Sequence, residues 1–521
     1  MTENRKVLKA GIIISSGTFL SRIFGFIRDM VIAGMFGAGF ATDAFFVAFK
    51  IPNLLRHLLG EGALSAAFIP LFTEYHTLKS EKDAWDFANA VISALALLLA
   101  VITVVGLIFM PWIVTVLAPG FRNSPGKFEL TVYLTRITFP YLFFICLTAT
   151  CMGILNSLRH FVVTAYSPVL LNLALIAAAL WLSPYIEPPI SGLAIGVMFG
   201  GVLQLSAHAI ALKKSGMPFR FDFSLNHPGI KKVAFLMLPF VLGLGVTQIN
   251  LFIDSLMASF LKEGAVSYLY YADRIVQFPL ATFGIAFGTA ILPSLSRLAA
   301  KNQLDEIRDT LSFGLRFTFF ITIPAMVALA ILAKPIITIL FERGKFGAAD
   351  SANTAGALVA YTIGLWAFSG IKILAPAYYS MKDTKTPVRI AIVAMLSNVV
   401  LNLILMRPLQ HMGIALATSL SATINIALLI YYLEARVGRL DWHNVAVSLL
   451  RIIFAATIMG GACYLMLFTR DSYTMRMGQV LWLVMTMMIG LSTYLIASYL
   501  VKAEEMHFFI DVVVGRLKRK G

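Results

Sequence analysis

Long apolar stretches recur along the whole chain, and they restrict what it can become more than any other feature. A helix needs about 20 apolar residues to cross roughly 30 Å of hydrocarbon. Fourteen segments of the 521 residues meet that need, at approximately 10–35, 42–72, 86–117, 129–156, 161–184, 190–212, 231–260, 265–294, 309–340, 351–380, 386–406, 412–435, 446–468 and 477–501. Hydrophobic residues are 59% of the chain and charged residues 13%, about half the ~25% of a soluble domain. No soluble globule buries that much apolar surface, so the prediction is an all-α polytopic membrane protein. The first stretch follows a charged start, but it is long, carries Arg22 and Arg28 and lacks a small-residue cleavage site, so it is expected to be a retained helix. Cys146, Cys151 and Cys463 lie in apolar stretches and are expected to be packing residues.

The formal charge of +16 would fit a nucleic-acid partner, but its placement fits a membrane better. Of 42 Lys and Arg residues, 25 fall in the N-terminal tail, the even-to-odd connections and the C-terminal tail, 8 in the opposite loops and 9 within spans. Basic residues accumulate on the cytoplasmic side, so both termini are expected there. The tail residues Arg516, Lys518, Arg519 and Lys520 would then face anionic headgroups. No basic soluble domain is present to hold nucleic acid.

A weak internal repeat runs at about 224 residues. Pro111 and Pro335 open similar apolar runs 224 apart. Asp29 with Gly39 matches Asp254 with Gly264, Pro70 matches Pro293, and Ser157-Leu158-Arg159 matches Ser380-Met381-Lys382. Six spans, an even number, separate equivalent positions, so both copies point the same way across the bilayer. The expected architecture is two parallel six-helix lobes around a central cleft, at 1–215 and 225–440, with two further helices and a basic tail at 441–521.

The nine intramembrane cations are Arg22, Arg28, Lys50, Arg56, Arg136, Arg274, Arg316, Lys334 and Lys372. An arginine near the bilayer centre costs at least ~2.5 kcal/mol, so partners are expected. Arg56, Arg316 and Lys334 lie near span ends, where snorkelling would serve equally well. The carboxylates within spans are Asp29, Asp43, Glu61, Asp254 and Asp273, fewer than the cations. A cleft holding the excess would select an anion, and guanidinium suits phosphate best because its planar fork bonds two oxygens at once. Arg22 and Arg28 lie within about 120° of each other on one helix, so both could flank one cleft. Gly17, Gly25 and Gly34 on that helix fit close packing or a bend. The sequence has no phosphate-binding loop, H-E-x-x-H or Cys/His cluster, and no loop large enough to house soluble chemistry.

Several motifs together resemble the MurJ (MviN) lipid II flippases. They are Ser21-Arg22-Ile23-Phe24-Gly25-Phe26-Ile27-Arg28-Asp29, Gly37-Ala38-Gly39, and the run from Thr42-Asp43-Ala44 to Asn53-Leu54-Leu55-Arg56. Glu61-Gly62-Ala63, Phe68-Ile69-Pro70, Ala118-Pro119-Gly120-Phe121, Tyr270-Tyr271-Ala272-Asp273-Arg274, Leu292-Pro293 and Lys382-Asp383-Thr384-Lys385-Thr386-Pro387 extend the likeness over nearly the whole chain. The resemblance implies the multidrug/oligosaccharidyl-lipid/polysaccharide exporter (MOP) fold and transfer of lipid II, the undecaprenyl-pyrophosphate-linked peptidoglycan precursor, from inner to outer leaflet by alternating access. It implies a transporter and no enzyme, with no cofactor. It also implies substrate-binding roles for Arg22, Arg28, Arg56 and Arg274, with Asp43, Lys50, Glu61 and Asp273 beside them, and a lipid-tail groove in the last two spans. Lipid II, membrane lipids and cell-wall synthesis proteins are the implied partners. A sodium site of some members maps onto Asp254, Asn398, Asn402, the Ile414 carbonyl and Thr418. Position 402 would be Asp in the sodium-binding form, and a missing carboxylate weakens a hard-cation site. Lys372 is a possible replacement charge, or an ion-pair partner of Asp254, so the coupling ion, sodium or proton, is left open.

Rival readings are another lipid-linked glycan flippase, for O-antigen or exopolysaccharide, a drug/cation antiporter, and a membrane glycan ligase or transferase. The antiporter would want an acidic cleft, and the enzyme a large external loop or paired surface carboxylates. A scaffold would not need so many buried charges. The charge bias makes one direct prediction: single cysteines replacing Lys214 and Lys382 react with a membrane-impermeant maleimide only after the cytoplasmic side is opened, whereas one replacing Arg122 reacts in intact spheroplasts.

Overall fold

The computed structural model describes residues 3–56, 64–221, 227–470, 475–508 and 510–511. Glu61 and the basic residues 516–520 lie outside them. Hydrocarbon offers backbone N–H and C=O groups no partner, so a spanning chain must satisfy them within helices or a closed barrel. Among the described residues the answer is helical throughout, apart from one isolated bridge between Arg343 and Phe346.

The chain divides into two compact units. The first comprises residues 1–267 with 343–346, and the second 268–342 with 347–521. The first contains α1 (Glu3–Phe36), α2 (Phe40–Leu55), α3 (Ser65–Leu78), α4 (Glu81–Ile108), α5 (Met110–Leu117), α6 (Lys127–Thr138), α7 (Tyr141–Ser157), α8 (Phe161–Ala177), α9 (Ser191–Lys214) and α10 (Pro228–Ser259). It also takes the opening residues of α11 (Ala265–Pro279), which otherwise belongs to the second unit. There α11 is followed by α12 (Ile285–Ala300), α13 (Leu304–Ile331), α14 (Ala333–Phe341), α15 (Ala348–Thr362), α16 (Leu365–Ser380), α17 (Lys385–Val437), α18 (Trp442–Leu467) and α19 (Arg476–Leu500).

Nine of the described helical stretches are long and apolar enough to cross a membrane, or ten if the bent pair α15 and α16 counts as one span. The number differs from the fourteen segments of the sequence for local reasons. Prolines interrupt α2 at Pro52 and α3 at Pro70, and Pro279 closes α11 before a π-helical stretch at 280–284. Conversely, α17 runs for 53 residues, far beyond one bilayer thickness, and breaks at Gln410 (φ 52°, ψ −133°), two residues after Pro408.

In the first unit α1 packs along α8, α8 and α7 pack on α9, and α2 packs on α6. The sequence places α10 with the second lobe, yet by contacts it sits with the first. It packs on α3, α4 and α5, where Gly229 meets the Phe87 ring and Val233 joins the aromatic core of Phe68, Phe72, Tyr75, Trp85 and Phe87. In the second unit α13 packs on α16 and α18, α16 on α12 and α17, and α18 on α19. The three cysteines are buried and free. Cys463 lies where a Cβ on Gly490 would come within 2.7 Å of its sulfur, which sets the close approach of α18 and α19.

The repeat shows in backbone detail. α4 and α13 both run 28 residues and end on residues of matching geometry, Phe109 (φ −88°, ψ 11°) and Leu332 (φ −92°, ψ 8°), each followed by a short apolar helix. α7 and α16 both close on a left-handed basic residue, Arg159 (φ 63°) and Lys382 (φ 60°). In each, the amide two residues past the cap reaches back into the last turn, from His160 to the Leu155 carbonyl (2.8 Å) and from Asp383 to that of Tyr378 (2.9 Å). Both are Schellman closures in a conformation that favours glycine. Arg159→Gly and Lys382→Gly should therefore each stabilise the protein, by about 1 kcal/mol at most, read as a raised melting temperature in detergent, while alanine at either site brings no gain.

Candidate functional site

Charges inside the spans are the functional candidates, and the structure shows what holds each. On α1, Arg28 is buried. Its Nε (2.9 Å) and one terminal nitrogen (2.6 Å) donate to Asp29 Oδ1, and the other terminal nitrogen donates to Asn172 Oδ1 on α8 (3.0 Å). Asn172 Nδ2 donates in turn to the Ser21 carbonyl (3.1 Å), so one α8 amide fastens two turns of α1. Arg22, six residues earlier, is exposed. The two arginines share a helix but differ in surroundings, because the face carrying Arg28 meets α8. The α1 glycines serve close packing. A Cβ on Gly17 would lie 2.5 Å from the Ala165 carbonyl oxygen, and one on Gly34 2.9 Å from the Arg343 side chain, whereas one on Gly25 would sit 3.6 Å from Asn172.

Asp43 on α2 is about 1% exposed and accepts four hydrogen bonds. Lys127 Nζ and the Gly264 amide donate to Oδ2 (2.8 Å each), and the Ser267 amide (2.9 Å) and hydroxyl (2.6 Å) donate to Oδ1. Gly264 is left-handed (φ 89°), which turns its amide and the start of α11 toward the carboxylate. A helix N-terminus, an ammonium and a hydroxyl thus share one buried anion. Sequence reasoning set Asp43 beside the arginines as a substrate residue. It missed Lys127, counted as a loop charge, although Lys127 is 2% exposed. Asp43 and Ser267 are also 224 residues apart, the period of the repeat.

Lys50, ten residues along α2, is half-buried and donates to Ser255 Oγ on α10. Arg56 donates from Nε to Asn53 Oδ1 (2.9 Å) one turn back. Asp254 is buried in the first unit.

In the second unit Arg274 is exposed. Its guanidinium lies 5.2 Å from the Tyr270 ring centre and donates to that hydroxyl (3.1 Å). Asp273 accepts from Gln277 Nε2 (3.4 Å). Lys372 is exposed on α16, close to Gly288 of α12, where an added Cβ would come within 2.4 Å of the Lys372 carbonyl oxygen. Arg316, for which the sequence leaves snorkelling and an ion pair equally open, donates to Glu504 (2.6 Å) and lies 3.6 Å from Glu505 beyond α19, and Glu505 accepts from Ser448 of α18 (2.8 Å). Both carboxylates lie outside the apolar segments.

Four of the five sodium-site positions gather on the two halves of α17. Asn402 donates to Asn398 (2.9 Å), Asn398 to Thr418 (3.4 Å), and Thr418 to the Ile414 carbonyl (3.0 Å). In the second unit the four therefore form a chain of neutral amide, hydroxyl and carbonyl groups, and with Asn at 402 the one carboxylate of the proposed set is Asp254 of the first unit. A hard cation draws its strength from charged oxygens, so this set is weaker than one with Asp at 402. Among the described residues no cluster of three or more His, Cys, Asp or Glu side chains suited to a metal is present.

A chain of apolar helices with partnered charges inside its spans is a multi-pass helical membrane protein, and its fold has solved counterparts. A multidrug resistance MATE family transporter of the MOP superfamily, in an inward-facing conformation, matches with a TM-score of 0.66 at 16% identity, over 82% of this chain and 98% of that one. Sequence comparison is more specific. The family model described as lipid II flippase MurJ matches residues 32–493, and the chain belongs to that family. The probable lipid II flippase MurJ of Vibrio cholerae serotype O1 is 41% identical over 507 residues, 96% of each chain. The lipid II flippase MurJ of Burkholderia cenocepacia is 40% identical over 437 residues, 82% of this chain and 84% of that one. A solved lipid II flippase MurJ in an inward closed conformation superposes with a TM-score of 0.80 at 30% identity, covering 96% of this chain and 100% of the other. The chain is a multi-pass membrane transporter, not an enzyme.

Two substitution pairs test these contacts. Asp43→Ala strands the Lys127 ammonium and should cost about 3 kcal/mol or more of stability in detergent, part of which Lys127→Met restores in the double variant. Gly17→Ala should weaken the packing of α1 on α8 and lower the melting temperature, whereas Gly25→Ala leaves it within about 1 °C of wild type.

Proposed function

We propose that this protein moves lipid II, the undecaprenyl-pyrophosphate-linked disaccharide-pentapeptide, from the cytoplasmic to the outer leaflet of the inner membrane by alternating access, with both termini in the cytoplasm. The observation that carries the reading is the match to the lipid II flippase family from residue 32 to 493, which spans both compact units. The chemistry of the first unit supports it, because guanidinium and ammonium groups held among apolar helices suit a diphosphate better than a neutral or cationic cargo.

Within this reading the exposed Arg22 of the first unit contacts the diphosphate and replaces water it loses on leaving the interface. Lys50 and Arg56 of the same unit line its route, and Arg274 and Asp273 are the candidate contacts that the second unit contributes. Arg28, buried and bonded to Asp29 and Asn172, acts as a positioning residue that keeps α1 seated on α8. The isoprenoid tail stays in lipid against α18 and α19, whose outer faces expose Leu450, Phe454, Leu465, Leu481, Met488 and Leu491. No covalent bond changes. Binding of the headgroup favours the conformation that closes the cytoplasmic side, by as much as its affinities for the two states differ. A charge crossing the full field is worth ~2.3 kcal/mol per 100 mV, enough to bias the return step.

The chain should rescue a strain depleted of its lipid II flippase and clear lipid II from the inner leaflet. Arg22→Ala, Arg28→Ala and Arg274→Ala should each fail to do so while remaining in the membrane at wild-type level. Normal translocation by all three would refute the assignment of the arginines. Rescue of an O-antigen or exopolysaccharide flippase mutant instead would move the cargo to another lipid-linked glycan.

A further inference from the structure

The first unit contains a cavity of about 590 Å³ between α2, α4, α5 and α10, within the ~300–1,000 Å³ usual for ligand sites. Its walls are side chains such as Val101 and Val105 of α4, Ile113 of α5, Phe139 just beyond α6, and Phe252 of α10. Gly106 lets the Phe139 ring lie against α4, since a Cβ there would come within 2.2 Å of it. Among the described lining residues the charged one is Lys50, which bonds Ser255 of α10. Val101 and Val105 line the cavity and are also about half exposed on the apolar outer face of α4, beside Val104 and Ile108. The cavity therefore opens sideways toward lipid.

Lys50 lies ten residues past the start of α2, about 15 Å along its axis, within the apolar segment 42–72 that the sequence assigns to the membrane. A resident phospholipid keeps its phosphate at the interface, so a chain in this cavity with its anion at Lys50 belongs to a lipid in passage. We propose that the cavity is a tail exit in the first unit: it takes the first isoprenoid units of a polyprenyl diphosphate while the diphosphate faces Lys50, and lets the rest of the chain leave past α4 into the bilayer. The inference rests on the flippase reading and adds to it a second apolar path, distinct from α18 and α19. Apolar walls suit the branched hydrocarbon chain, and the Lys50 ammonium complements the anion that leads it.

The test uses the full-length protein in membrane vesicles supplied with radiolabelled undecaprenyl diphosphate. A photoreactive benzoylphenylalanine replaces Val101, Ile113 or, as an exposed control away from the cavity, Phe199 of α9. Label should attach at 101 and 113 at least fivefold above 199, and excess unlabelled undecaprenyl diphosphate should suppress it. Val101→Trp should fill the cavity and slow lipid II flipping severalfold. The same variant should still bind a soluble, tail-less diphosphate headgroup with wild-type affinity, which separates a blocked tail path from a misfolded protein. Capture of phospholipid acyl chains alone, or label confined to probes on α18 and α19 with wild-type flipping by Val101→Trp, would overturn the tail exit and leave the transport assignment standing. Failure of the wild-type chain to rescue flippase depletion would remove the transport assignment itself.

Discussion

A charged group inside hydrocarbon has to be held by other polar groups, because water is absent and the penalty for isolation reaches several kcal/mol. The buried charges of the first unit follow from that constraint. Arg28 is bonded to its neighbour Asp29 and to Asn172 across the α1–α8 contact. Asp43 is bonded to an ammonium, a hydroxyl and two backbone amides at the start of α11. These bonds join helices far apart in sequence and fix which faces meet. Arg22 and Arg274 are exposed where Arg28 and Asp43 are buried, and Arg274 leans on the Tyr270 ring and hydroxyl, so the intramembrane charges differ in how far packing encloses them.

The internal repeat is a second organising fact. Its sequence traces are thin, a few prolines, an Asp–Gly pair and a Ser-x-basic triplet, yet the backbone reproduces them closely. Arg159 and Lys382 share a left-handed closure, and Phe109 and Leu332 share the break before a short helix. Duplicated geometry is easier to keep than duplicated sequence, since hydrogen-bond closure at a helix end depends on backbone angles that many residues tolerate. The Asp43 carboxylate and its donors at the start of α11, Gly264 and Ser267, join segments about one period apart.

Reading the spans from sequence worked where apolar runs were uninterrupted, as for α4, α9, α13, α18 and α19. It was less direct where prolines cut a run, as in α2 and α3, whereas the break inside α17 at Gln410 falls in the gap the sequence leaves between 406 and 412. For the site, the sequence singled out the cations and carboxylates but paired them only within the spans. Lys127 and Glu504 were overlooked because each lies outside an apolar run and is brought to its partner by packing. Asn172 and Ser255 gave no signal, being ordinary polar residues until a distant helix places a cation against them.

The sequence by itself determined that this chain is a multi-pass helical membrane protein of the lipid II flippase family. Hydrocarbon leaves the backbone few options, and a run of apolar side chains declares its environment without reference to any other part of the chain. Only the tertiary structure decided which charges packing encloses, that α10 packs with the first unit, and that an apolar cavity backs Lys50. Those outcomes depend on which helix faces meet, and a helix's own residues specify its faces but not its neighbours.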